Sequence, residues 1–504
     1  MTKRSPVSPA PGPLEDYAKS FDDLFGARAQ RHGFRRYLEG LLLPAERNKT
    51  LTALANTEPV VGAQRKEAQS LQWFLSESRW DDEEVNERRL ELLFAEAATA
   101  PEEDGVLVID EHGDRKWGKK TAHVGKQWLG NIGKTENGVV SVSSLWAEEG
   151  VYYPLEVEPY TPKHHFEGGK SDPRFRTKLQ IASRLIERSV AMGVPFRAVV
   201  ADSFYGEDED FRGALSQLGV GYVLALKESH SWWHKQGQIG ALWEAAKAAG
   251  WKNTEEEGRW RKVVRTFRDG HQQTWWALEV EAGPYSPEKK AHRRALVVTT
   301  DPERLPRLGT WYLTTNLPAP GSHERQTPSD LALASIQEVV RLYGLRMWVE
   351  QSYKQVKHAL GWSDYQVRSD LAIRRHWQLV CCAFSFCWWA YGHLPASLEE
   401  PTDTQENTPE DTPADGPAER GKRRARPSVS WPEALRAVRG WLEPYVMLWR
   451  YWRAYTDLPP PKALRVLLNW VFAGEGIYLY VHKQQTTVRI SERFPLHRFP
   501  ITFS

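Results

Sequence analysis

Cysteine is nearly absent: three thiols in 504 residues, all inside one apolar run, Leu379-Val-Cys-Cys-Ala-Phe-Ser-Phe-Cys-Trp-Trp389. Three crowded thiols with no second set elsewhere exclude a disulfide framework and point to a reducing, cytoplasmic setting. No His or Asp lies within the run, so Cys381, Cys382 and Cys387 read as helix core rather than metal ligands. No apolar run reaches the ~20 residues needed to cross a bilayer. The first residues lack the apolar stretch of a secretory signal. Net charge is also nearly absent, at +2 from 67 Lys and Arg against 65 Asp and Glu. No global field advertises a polyanionic partner, so any basic surface must be local. There is no internal repeat.

What is present describes a globular protein of two to four domains with ample core. The 23 tryptophans supply many flat surfaces for packing or for stacking on bases. Residues 1–12 hold three prolines and little that packs, and they read as disordered. Residues 13–100 read as an all-helical domain, with Leu14, Tyr17, Phe21, Leu24 and Phe25 at helical spacing. Its cations Arg28, Arg31, Arg35, Arg36, Arg47 and Lys49 suit a phosphate-contacting surface or an ordinary solvated face. A helical DNA-binding domain with Arg35 and Arg36 at phosphate is the expectation.

Residues 101–226 give strand, strand, strand, helix, strand, helix, strand, which is an α/β pattern. The strands fall over 105–110, 138–146, 150–157, 196–201 and 221–226. Residues 227–325 break this order. Strand-like runs at 261–267, 274–280, 294–300 and 310–315 indicate an inserted, mostly β subdomain. Residues 326–394 return to the core as its second part, with helices around Glu350 and over 374–391. Residues 395–430 are a linker, first acidic and then basic at Arg420-Gly-Lys-Arg-Arg-Ala-Arg426. Arg423 and Arg424 are expected to touch phosphate from it. Residues 431–504 form a helical C-terminal region, with a strand-like run at 477–481.

Two of the core strands end on acids, Asp110 and Asp202, and sites in open α/β sheets gather at the carboxyl ends of strands. An Asp there also serves as a helix cap or turn former. Asp104, Glu111, Asp114 and Asp208 are competing acids nearby, but Asp110 and Asp202 each directly end an apolar run. A cationic, glycine-containing loop with Lys119 and Lys120 follows the first. A third carboxylate, Glu350, lies in Tyr343-Gly-Leu-Arg-Met-Trp-Val-Glu-Gln-Ser-Tyr-Lys-Gln-Val-Lys357. Read as one helix of ~3.6 residues per turn, this stretch projects Tyr343, Arg346, Glu350 and Lys357 from one side. A solvated face with Arg346–Glu350 and Glu350–Lys354 pairs would show the same spacing. Joined to Asp110 and Asp202, however, the helix completes a set of three acids on defined elements. Phosphodiester chemistry at two divalent ions needs such a set, and hard oxygen ligands suit Mg²⁺.

These residues carry a resemblance to bacterial insertion-sequence transposases with an RNase H-like DDE catalytic domain, nearest to the insertion-sequence 701 family. Val108-Ile-Asp-Glu-His-Gly113, with Lys116-Trp-Gly-Lys119 behind it, resembles that family's first-Asp region. Val200-Ala-Asp-Ser-Phe-Tyr-Gly206 resembles the second, and Tyr343, Arg346, Glu350 and Lys357 match its Tyr-x2-Arg-x3-Glu-x6-Lys signature. The resemblance spans about residues 15–390. It implies an RNase H-like α/β core with an inserted β-rich part, and cut-and-paste transposition of an insertion sequence. Asp110, Asp202 and Glu350 would hold two Mg²⁺, with Mn²⁺ able to substitute. Tyr343, Arg346, Lys354 and Lys357 would lie at the DNA backbone, and a tryptophan such as Trp275, Trp276 or Trp311 would take a flipped base. Partners implied are double-stranded element ends and target DNA, with a homodimer assembled on them. The rival readings are a domesticated, non-catalytic DNA-binding protein and an RNase H-like repair nuclease.

Overall fold

In a computed structural model, the described residues are 6–45, 48–55, 65–233, 239–253, 258–266, 271–283, 287–306, 309–321, 331–393, 427, 429–456, 461–464, 466, 478–482 and 485–489. Arg47, most of the 395–430 stretch, and Arg423 and Arg424 with it, lie outside them.

The chain opens with helices α1 (Pro13–Lys19), α2 (Arg28–Leu42), α3 (Leu51–Leu54), α4 (Lys66–Ser76) and α5 (Asp82–Ala95). The caps are chemical: Asp81 accepts from the Glu83 and Glu84 amides and so starts α5. Phe21, Phe25, Phe34, Phe74 and Trp80 form a chain of ring contacts, with Phe74 stacked on Trp80 at 5.1 Å.

Next come β1 (Val106–Arg115), β2 (Gly125–Leu129), β3 (Lys134–Ala147) and β4 (Tyr152–Tyr160). They are followed by α6 (Lys178–Ala191), β5 (Ala198–Ala201), α7 (Ser203–Gly206), α8 (Glu209–Gln217) and β6 (Tyr222–Ala225). β1 pairs antiparallel with β3 and β3 with β4, whereas β1, β5 and β6 run parallel. The buried runs Val106–Ile109 and Ala198–Ala201 explain why β1 and β5 sit centrally. This mixed sheet with flanking helices fits an RNase H-like core.

The 227–325 stretch forms β7 (Ser231–Trp233), β8 (Ile239–Ala241), α9 (Leu242–Ala248), β9 (Arg261–Thr266), β10 (Gln272–Val280), α10 (Pro287–Lys290), β11 (Arg294–Thr299) and β12 (Trp311–Thr315). Its four longer strands do not make a separate sheet. β12 pairs antiparallel with β6, and β11, β10 and β9 follow in order, so the core sheet simply continues. Trp232, Trp260 and Trp276 are buried in a cluster with Leu242, Leu278 and Val297 on this extension.

Then come α11 (Ile336–Gly344), α12 (Met347–Leu360), α13 (Asp370–His393), α14 (Trp431–Tyr455) and a hairpin of β13 (Tyr478–His482) with β14 (Gln485–Arg489). The chain divides into two compact units. One holds residues 101–357 and 367–378; the other holds 1–100, 358–366 and 379–504. In the second of these, Trp431 stacks on Phe384 at 4.5 Å, and Arg439 donates to the Leu42 carbonyl. Cys381, Cys382 and Cys387 are buried and unbridged there, as expected of core.

Candidate active site

Tyr343 to Lys357 is not one helix. α11 ends at Gly344, Leu345 and Arg346 form a turn, and α12 starts at Met347. Gly344 weakens helix at that point, and the Arg346, Trp348 and Val349 amides donate three residues back rather than four. The break turns Arg346 toward β1. Its guanidinium lies 3.3 Å from Asp110 and 3.3 Å from Glu350, joining the first acid to the third.

Asp110 sits near the middle of β1 rather than at its end, because the strand runs on to Arg115. The parallel partner β5 reaches only Val108 in this pairing, so the sheet opens beside Asp110. Asp110 is buried, and its pKa is raised to about 7. Burial is the main cause; the Arg346 charge opposes it and the nearby Asp202 charge adds to it. Asp202 follows β5 and caps α7, accepting from the Phe204 amide at 2.9 Å. Its capping role and its place beside Asp110 coexist, since one carboxylate has more than one acceptor oxygen. Glu350 is exposed in the first turn of α12.

The competing acids have other engagements. Glu111 is 2.8 Å from Lys178, and Asp208 accepts from the Phe211 amide as the cap of α8. Asp114 takes Lys357 at 2.6 Å and His112 at 3.2 Å. These partners outweigh the cost of burial and hold Asp114 at about 2. Lys357 therefore spends its ammonium on β1, with only 15% of its side chain exposed. Tyr353 tightens the same seam, donating to the Asp110 carbonyl at 3.1 Å and meeting Ser143 at 2.6 Å. In the sequence Asp114 reads only as a competing acid beside Asp110, and Tyr353 does not stand out at all. Their alternation with Asp110 on β1, and their step from Glu350 on α12, are the available signals.

Among the described residues, three carboxylates come within 4.8 Å of one another at Glu102, Asp104 and Glu148, not at Asp110, Asp202 and Glu350. Of the latter three, Asp110 and Glu350 each pair with Arg346. That difference follows from charge: a guanidinium between acids replaces the attraction that a cation would provide.

The expected DNA contacts divide. Lys119, Lys120 and Lys354 are exposed. Arg36 is partly exposed and pairs with Glu39 at 2.6 Å. Arg35 is a correction. It is 2% exposed and makes paired bonds to both Glu15 and Asp22, so it is a structural ion-pair centre with no face for phosphate. Arg31 and Lys49 are buried too. The Lys49 ammonium donates to the Gly40, Leu41 and Leu43 carbonyls at the end of α2. Of the tryptophans, Trp275 and Trp276 are both buried; Trp275 meets Trp311 at 4.5 Å and Trp311 meets Tyr343 at 5.0 Å.

Comparison with known proteins gives the family. Residues 20–296 match the family described as DDE superfamily endonuclease, a span that includes Asp110 and Asp202 and ends before Glu350. The chain is 32% identical over 368 residues to a probable transposase for insertion sequence element IS701 from Microchaete diplosiphon. That alignment covers 73% of this chain and 85% of the relative. These two matches together show that the chain belongs to the DDE endonuclease superfamily, among relatives of the insertion-sequence 701 transposase.

Proposed function

We propose that the chain is a DNA transposase that excises an insertion sequence by hydrolysis at its ends and joins the freed 3′-hydroxyls to target DNA. The observation that carries the reading is Arg346 pairing with both Asp110 and Glu350 at 3.3 Å, with the Asp202 charge near enough to bear on Asp110, within a family of DDE endonucleases.

The donor set fits divalent cations. All three are carboxylates, Asp110 is buried and destabilised as an anion, and Glu350 is exposed in the first turn of α12. Asp110, Asp202 and Glu350 would hold Mg²⁺, or Mn²⁺ in its place, with Arg346 giving up its bridge. Bound there, the ions supply Lewis acidity for attack on, and departure from, phosphorus. The chain's own residues do the positioning. Tyr353 and Lys357 fix α12 against β1, and with it the reach of Glu350 to Asp110. The α7 cap fixes the Asp202 carboxylate. Arg346, released, faces the phosphate that replaces the acids as its partner. Lys354, Lys119, Lys120 and Arg36 are assigned to DNA, whereas Tyr343 is buried against Trp311 and is left out, and the assembly on two element ends is a homodimer.

The test uses a labelled duplex carrying the element end, a plasmid target and Mg²⁺. The reading expects a cut with a free 3′-hydroxyl at the element boundary and joined product in the plasmid. Sequence-specific binding without any cut would instead support a non-catalytic DNA-binding protein. Cutting at random sites without joining would support a repair nuclease.

A further inference from the structure

From Arg115 to Thr135 the chain contains six Lys and Arg and no Asp or Glu. This segment leaves β1, loops, and returns as β2. Two large indoles stand out on it, Trp117 at 83% exposure and Trp128 at 56%. A tryptophan that exposed has no packing role to explain it. The Arg115 guanidinium lies over the Trp117 ring at 4.0 Å, so cation and indole are presented together. The strands bring the parts into one place. The Lys116 amide donates to the Asn137 carbonyl, and Asn137 pairs in turn with Lys126 on β2. Lys126 and Trp128 are the exposed members of that edge strand, and Gln127 between them is buried. Lys119 and Lys120 are exposed in the loop. The acid that borders the patch, Glu136, is already met by Lys134 at 3.1 Å.

The patch also has a fixed relation to the acids. β1 carries Asp110 and runs on to Arg115, directly before Lys116, where the exposed segment begins. Six residues of extended chain separate Lys116 from Asp110, about 20 Å at ~3.3 Å per residue. Duplex DNA spanning this distance advances roughly six base pairs, at ~3.4 Å each.

We infer that this end of the sheet is a second contact with duplex DNA, about six base pairs from the cut phosphate. Lys119, Lys120 and Lys126 take phosphates, and Trp117 and Trp128 lie against sugars and base edges. The inference rests on the transposase reading, deepens it, and names a surface that an isolated catalytic centre does not need.

The test compares the full chain with two double variants, Lys119→Gln/Lys120→Gln and Trp117→Ala/Trp128→Ala. The probe is a fluorescein-labelled duplex bearing the element end, read by anisotropy over a salt series and by hydroxyl-radical footprinting. The lysine pair is expected to reduce the slope of log affinity against log salt by about 2, at ~0.9 per phosphate lost. Lys119→Arg/Lys120→Arg should restore it. The tryptophan pair is expected to weaken binding about tenfold with the slope unchanged. Each should clear protection about six base pairs from the cut and leave protection at the cut itself. All of these side chains are exposed, so melting temperatures should match the wild type. An unaltered slope and footprint in both variants, with wild type still binding and cutting, would overturn the patch alone. A wild type that neither binds nor cuts the element end would overturn the transposase reading and the patch with it.

Discussion

Arg346 stands where like charges would otherwise meet. With Asp110 buried and Asp202 and Glu350 close to it, the site needs a cation, and the guanidinium supplies one from within the chain. Removing it should leave the acids free to take a metal without first breaking two ion pairs. Arg346→Gln is therefore expected to bind Mn²⁺ about tenfold more tightly, near 1.4 kcal/mol, by electron paramagnetic resonance in the absence of DNA. Unchanged or weaker binding would mean that the arginine does not compete with the ion. Lys357 makes a different kind of contact. Its bond to buried Asp114 predicts that Lys357→Ala lowers stability by about 3 kcal/mol in denaturant, because a buried carboxylate loses its counter-charge. A residue serving only phosphate would instead leave stability alone and reduce the salt dependence of DNA binding.

At the scale of elements, position matters more than composition. The motif Ala201-Asp-Ser-Phe-Tyr-Gly206 ends in glycine because α7 lies directly on β6: a Cβ at Gly206 would come 1.8 Å from the Ala225 carbonyl oxygen. Gly206→Ala must therefore push α7, which carries the Asp202 cap, away from the sheet. A loss of about 2 kcal/mol in stability, together with a loss of cutting, is expected from calorimetric melting and a cleavage assay. Wild-type stability would contradict the close approach. The three acids were legible because each interrupts a clear local pattern: an apolar strand run at Asp110 and Asp202, a polar helix face at Glu350. The break at Leu345–Arg346 was not legible, since a single glycine inside a periodic run only weakens the helix and does not announce a turn. Nor was the fate of Arg35. Its partners Glu15 and Asp22 lie a helix away in sequence, and cationic spacing alone cannot distinguish a buried ion pair from a phosphate contact. The inserted strands were visible as strands, but their pairing onto β6 depends on long-range register that local pattern does not carry.

For the molecule as a whole, acid should act through the same seam that places the site. Asp114 is held at about 2 in the folded chain, against ~3.9 for an unstructured Asp. Its contribution is thus complete above about pH 4 and is lost as pH falls through 2. Stability should drop by on the order of 2 kcal/mol across that window, and Asp114→Asn should flatten the profile there. A variant that follows the wild-type acid profile would remove Asp114 from the account. The central claim is that Asp110, Asp202 and Glu350 form one metal-dependent centre, although another trio of acids lies closer together. The most direct measurement is cleavage of an element-end duplex in Mg²⁺ by wild type, Glu350→Gln and Glu102→Gln, with DNA binding measured in parallel. The account predicts that all three bind, that Glu350→Gln loses cutting by at least about a hundredfold, and that Glu102→Gln cuts like the wild type. Full activity in Glu350→Gln, with activity lost in Glu102→Gln, would place the chemistry at Glu102, Asp104 and Glu148 and contradict it.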